Sequence, residues 1–166
     1  RRILKHLTGV VKRAGSPHRQ KNEEGTMYEH SLVLIKPDAT RRKLAGNIIS
    51  KYEEAGFNIC ALEIIHLNRE LAEGFYIVHK GKEFFQRLMN FMVSAPTIVM
   101  VLGGENAIDE IRKINGKTDP KLAGEETIRG EYGLDVTRNS VHASDSKESA
   151  EFEILYRNAY NYSRTN

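Results

Sequence analysis

Arg138-Asn139-Ser140-Val141-His142-Ala143-Ser144-Asp145-Ser146 is the stretch on which the reading of this chain turns, with Glu153 one short helix further on. Ser140-Val141 can end a strand, and Asp145 or Ser146 can cap a helix running from Lys147 to about Tyr156. His142 is therefore expected between a strand end and a helix N-terminus. There the helix N–H groups and the positive end of the dipole favour an incoming anion. A neutral imidazole can attack phosphorus without first losing a proton. Ser144 adds a hydroxyl, and Glu153 could orient the ring. The plainer reading of a lone histidine beside a helix cap is a surface or hydrogen-bonded structural residue. The stretch by itself leaves both open.

Outward from it, the chain alternates strand and helix signals. Ser31-Leu32-Val33-Leu34-Ile35-Lys36 is a β-favouring run stopped by Pro37-Asp38. Leu44, Ile48, Ile49, Tyr52 and Ala55 recur with helical spacing up to Gly56. A second strand is expected over residues 58–67, with Cys60 as a small core residue. Asn68 reads as the N-cap of a helix over residues 69–78, and a further helix over 83–93 would pair with it as a hairpin broken at Ser94-Ala95-Pro96. Thr97-Ile98-Val99-Met100-Val101-Leu102 is the clearest strand, ended by Gly103-Gly104 and followed by a helix over residues 106–114. Residues 115–140 form a connection long enough to suggest function. A polar tail is expected after Tyr156.

Several separated motifs fall in one order. Lys36-Pro37-Asp38 closes the first strand, Tyr76 lies eight residues before Phe84, and Arg112 precedes Gly116, Thr118 and Pro120. Thr127-Ile128-Arg129-Gly130 follows, and Asn-x-x-His-x-Ser-Asp-Ser closes the set at Asn139 to Ser146. Together they resemble the signature of nucleoside diphosphate kinases over roughly residues 27–156. Two positions depart from that pattern. Ala143 stands where the family usually has Gly, which matters if the backbone there needs a positive φ, and Lys82-Glu83 replaces a more common Arg-Pro before the paired Phe. No Gly-x-x-x-x-Gly-Lys-Ser/Thr loop occurs, so phosphates would be held by side chains.

The resemblance implies a ferredoxin-like βαββαβ α/β sandwich: a four-stranded antiparallel sheet, helices packed on one face, and an inserted helical hairpin. It implies ping-pong transfer of a γ-phosphoryl group from a nucleoside triphosphate to a nucleoside diphosphate through phosphohistidine at His142. Glu153 would orient the ring, Lys36 and Asn139 would hold the ribose, and Phe84 would stack on the base with little discrimination. Tyr76, Arg112, Thr118 and Arg129 would face the phosphates; a guanidinium suits that task because it gives permanently charged, bidentate contacts. Mg2+ would arrive with the nucleotide, and the protein would be a homo-oligomer, tetramer or hexamer, serving cellular nucleotide pools. The alternatives are a catalytically inactive relative and a ferredoxin-like nucleic-acid-binding module.

Composition sets further bounds. With 40% hydrophobic and 28% charged residues among 166, the chain can build one core. No apolar run approaches the roughly 18 residues of a membrane-spanning helix. The single cysteine permits no intrachain disulfide, which fits a reducing cytoplasm. The formal charge of +3 is concentrated in residues 1–26, where seven Lys and Arg face only Glu23 and Glu24. Residues 27–166 are thus slightly acidic, and no nucleic-acid partner is expected from them. The 1–26 segment reads as a disordered extension ahead of Met27. Its basic, helix-spaced apolar pattern leaves an organelle transit peptide as the alternative.

Overall fold

The computed structural model describes residues 27–165, so the expectations for residues 1–26 lie outside the described residues. Strand β1 spans Tyr28–Ile35 and is antiparallel to β3, Thr97–Glu105, in an unbroken register from Tyr28 opposite Glu105 to Ile35 opposite Ile98. β3 also pairs antiparallel with β2, Asn58–Ile65, and β1 with the three-residue β4, Val141–Ala143. The order β2-β3-β1-β4 puts the two most buried long strands at the centre. It is the ferredoxin-like arrangement, with the short strand that carries His142 at one edge.

Helices cover both faces of this sheet rather than one. Val33 and Ile35 point towards α2, Ala45–Glu54, and α5, Ala107–Asn115, in a core that includes Ile48, Tyr52, Met100 and Ile111. Leu32 and Leu34 point the other way, with Leu71, Met89, Met92 and Tyr156, into a core made by the hairpin α3, Arg69–Phe75, and α4, Phe85–Met92, and by the terminal α7, Lys147–Thr165. Each fully buried Leu or Ile contributes about 1.5–3 kcal/mol. The continuous apolar run of β1 follows from being covered twice.

Local signals explain most boundaries. Asn68 caps α3 by accepting the Leu71 N–H at 2.9 Å, and Gly56, at φ 88°, ends the turn after α2. Ser146 caps α7: its Oγ accepts the Ser149 N–H at 3.1 Å, while Ser149 Oγ accepts the Ser146 N–H at 2.9 Å. That helix runs nine residues past Tyr156 where a polar tail was expected, because Ala159 and Tyr160 still pack on the core. Two five-residue helices were not anticipated: α1, Pro37–Arg41, and α6, Ile128–Tyr132, the latter inside the long connection. The hairpin helices are shorter than expected, with a 3-10 turn at Ile77–His79 between them. Cys60 is exposed, not core, since the β2–β3 register shifts between Ile59 and Ala61 and leaves it unpaired.

Candidate active site

His142 lies on β4 opposite Leu34 of the buried β1, so its backbone is fixed by the sheet. Its Nε2 is 2.9 Å from Oε1 of Glu153, which α7 brings in from the other side. A carboxylate oxygen accepts, so the ring proton belongs on Nε2 and Nδ1 keeps its lone pair. The other oxygen, Oε2, accepts from Ser144 Oγ at 2.7 Å, and Ser144 Oγ in turn accepts the Leu32 N–H at 3.0 Å. Ser144 is fully buried and the Glu153 side chain is 9% exposed, whereas that of His142 is 25% exposed. The buried pair holds; the imidazole reaches out. The ring is walled edge-on by Phe75 and Tyr76, at centroid distances of 5.5 and 6.0 Å.

Tyr76 is next to His142 but does not present a hydroxyl to the cleft. Its Oη donates to Met92 Sδ at 3.8 Å inside the core, and burial raises its pKa so that the phenol stays neutral. The contact made by this residue is its ring.

Two guanidinium groups approach the His142 strand. Arg129, on α6, donates from Nη2 to the Val141 carbonyl at 3.0 Å and from Nη1 to the Gly116 carbonyl at 2.7 Å. Its buried Nε has no hydrogen-bond partner, and burial lowers the guanidinium pKa from its ordinary value. Arg112, on α5, donates to the Asp145 carbonyl at 3.1 Å and is otherwise exposed. Arg112, Thr118 and Arg129 line one open cleft together with Gly116 and Thr127. The sequence puts Gly130 behind Arg129 for a steric reason: a Cβ there would collide with the Gly124 carbonyl.

Lys36 and Asn139 form a buried pair. Lys36 Nζ donates to Asn139 Oδ1 and to the Thr137 carbonyl, both at 2.7 Å, and lies 5.4 Å from the Phe91 ring centroid. Asn139 Nδ2 donates to the Thr118 carbonyl at 2.9 Å, tying this pair to the cleft. Burial lowers the Lys36 pKa to about 8, against the opposing pull of Asp38.

Phe84 stands at the outer end, 41% exposed. It connects to the centre through His79, whose ring lies 5.5 Å from Phe84 and is stacked 6.0 Å from Tyr76. Burial and then the neighbouring His142 lower the His79 pKa. No motif around His79 in the sequence signals a role, and Phe75 reads as core, like most aromatics in an apolar hairpin.

Ala143 has no positive φ; that conformation falls on Ser140, at φ 70°. The usual glycine is therefore not required here by the backbone. Among the described residues no group of three or more His, Cys, Asp or Glu is placed to hold a metal ion, and no helix is long and apolar enough to cross a membrane.

A family model described as nucleoside diphosphate kinase matches residues 29–158. A nucleoside diphosphate kinase of Methanocaldococcus jannaschii is 56% identical over 128 residues, covering 77% of this chain and 91% of that protein. Among solved structures, that of the Aquifex aeolicus nucleoside diphosphate kinase is 41% identical with a TM-score of 0.77, covering 78% of this chain and 94% of that one. The enzyme of Encephalitozoon cuniculi is 37% identical with a TM-score of 0.75, covering 77% and 87%.

Proposed function

The chain belongs to the nucleoside diphosphate kinase family and transfers phosphoryl groups between nucleoside tri- and diphosphates, and we propose that His142 Nδ1 is the atom that carries the group. The observation behind this is the Glu153 bond to Nε2. It fixes ring orientation and tautomer together and leaves Nδ1, with its lone pair, as the nucleophile of a held ring. Nδ1 attacks the γ-phosphorus, the bond to the β–γ bridging oxygen breaks, and the diphosphate leaves with those electrons. The imidazolium formed is stabilised by Glu153. A second nucleoside diphosphate then takes the group back by the reverse displacement.

The remaining roles are positional. Arg112, Thr118 and Arg129 supply charge and a hydroxyl along one cleft, which suits a triphosphate tail. Lys36 and Asn139 would hold the ribose hydroxyls, and Phe84 would offer only a π-face to the base, so discrimination among bases should be weak. Arg112, Lys113, Lys117 and Arg129 outnumber Asp109 and Glu110 in the cleft, which suits phosphate oxygens, and the substrate is taken as the Mg2+ complex of the nucleotide. Tyr76 serves as a wall for the imidazole.

Residues 27–166 are proposed as the catalytic domain and 1–26 as an extension to it. A homo-oligomer, tetramer or hexamer, is favoured by edge strand β2, whose Leu62 and Ile64 are 46% and 66% exposed. A cytoplasmic setting is favoured by the nucleotide substrates and the single cysteine.

The test is incubation with γ-labelled ATP and Mg2+, then GDP. The protein should take an acid-labile, base-stable label and pass it on as GTP, and a His142→Asn variant should do neither. A folded wild-type protein that takes no label and makes no GTP sinks the proposal.

A further inference from the structure

Ser140 is the most constrained backbone position near the nucleophile. At φ 70° it occupies a region that a serine rarely adopts, and the Val141 N–H closes back onto the Asn139 carbonyl at 2.8 Å. This is a γ-turn of the strained hand. Asn139 precedes it, Val141 carries the Arg129 contact, and His142 follows. Any relaxation of the turn displaces all three.

One side chain holds the turn. Asp38, on α1 with its side chain 3% exposed, accepts the Ser140 N–H at Oδ2 at 3.1 Å and the Ser140 hydroxyl at 3.3 Å. Arg42 donates to the same oxygen at 3.2 Å and to Ser140 Oγ at 3.3 Å. The Ser140 carbonyl accepts the Lys36 N–H at 2.8 Å, so the residue is gripped from both sides by the segment around Pro37. A buried carboxylate is costly unless paired, and this one is directed at the one strained turn beside the site.

We infer that Asp38 is a positioning residue for the transfer reaction, pinning the Ser140 turn that sets Asn139 and His142. The inference rests on the reading of His142 as the phosphoryl carrier. The groups facing Lys36 are Asp38 from α1, Arg129 from α6, Asp135 and the Thr137 carbonyl from the connection, Asn139, and the Phe91 ring from α4. Asp38 and Asp135 raise its pKa, and burial and Arg129 lower it. Asp38 leads the two acids. Removing it acts on the turn and on Lys36 at once, and the two effects can be separated.

Asp38→Asn keeps the size and an acceptor for the turn but removes the charge. It should slow the phosphorylation of His142 at saturating ATP far less than Asp38→Ala does, while the alkaline limb of kcat/KM moves down by about one pH unit. Asp38→Ala removes the acceptor as well, and should slow phosphohistidine formation about tenfold or more. Ser140→Gly in the Asp38→Ala background should restore most of that rate, because glycine adopts a positive φ freely, but should not restore the pH limb. The inference is overturned if Asp38→Asn keeps the wild-type pH profile and Ser140→Gly gives no rescue, or if both Asp38 variants only lower Tm with unchanged kinetics. If Asp38→Ala does not fold, the pH profile of Asp38→Asn decides. Should wild-type protein form no phosphohistidine, the function reading fails instead. The pH dependence of nucleotide Kd, wild type against Asp38→Asn, then judges Asp38 independently.

Discussion

At the inner end of the site, around His142, almost every side chain proposed to function is already bonded to protein, while Phe84, at the outer end, is not. Glu153 uses both oxygens, on His142 and Ser144, Arg129 spans two backbone carbonyls, and Lys36 and Asn139 bond each other and the connection. Phe84, by contrast, is 41% exposed with one tilted ring contact to His79. The inner groups lie on β4, α6 and α7 or in the segments directly flanking β1 and β4, and inherit the rigidity of the sheet. Phe84 sits at the start of α4, beyond the 3-10 turn, on the most exposed part of the hairpin. Phosphoryl transfer needs fixed charges and a fixed nucleophile, whereas a site for many bases needs a surface without hydrogen-bond demands. The contrast in rigidity matches that division of labour.

The comparison breaks most sharply if the inner end is loosened. Glu153→Ala leaves His142 Nε2 without its acceptor and Ser144 Oγ with only the Leu32 carbonyl at 3.4 Å, so both tautomer and ring orientation are lost. The rate of phosphohistidine formation should fall by about a hundredfold or more. Rapid-quench measurement of the labelled protein, with circular dichroism to confirm folding, checks it. A fall of only twofold would mean that the sheet alone positions the ring.

Much of this was legible beforehand, because strands β1 and β3 are unbroken apolar runs and the motif residues keep their order along the chain. What was hidden is tertiary. Asp38 reads as the last residue of the Lys36-Pro37-Asp38 motif with no task of its own, and only its burial against Ser140 suggests one. The two faces of β1 are both apolar, so alternation sends Leu32 and Val33 to different cores, but it does not say which helices cover each. Helices α1 and α6 are too short for a periodic signal, and Cys60 is turned out by a register shift that no local residue announces. Lys36 was placed correctly at a strand end, yet its burial and its bond to Asn139 came from the approach of residues 101 to 103 positions away.

A middle-sized effect follows from that burial. Desolvation lowers the Lys36 pKa to about 8, so the ammonium is present below that pH and lost as pH rises through it. The kcat/KM for nucleotide should therefore fall above pH 8, by up to about tenfold per unit, while Lys36→Met should be weaker throughout and lose that limb. Stability should move in the opposite sense. The unfolded chain keeps this lysine protonated up to its ordinary value near 10.4, so between about pH 8 and there the unfolded state binds more protons and the Lys36 contribution to stability rises with pH. A wild-type limb that Lys36→Met retains would assign the titration to another group.

The smallest effect is expected at the outer end, and its pattern matters more than its size. A base stacked on an aromatic ring gains about 1–3 kcal/mol, and the exposure of Phe84 places it at the low end. Phe84→Ala should raise KM for the nucleoside diphosphate about fivefold, the equivalent of about 1 kcal/mol, with kcat within about twofold. The increase should be nearly the same for ADP, GDP, CDP and UDP, slightly greater for the purines because their rings overlap more. A loss confined to one base would mean that Phe84 takes part in hydrogen-bonded recognition with a neighbour. The equal, small loss would instead show that the outer end contributes contact without selection, and that only the inner end, where the donors are fixed in advance, tells one chemical group from another.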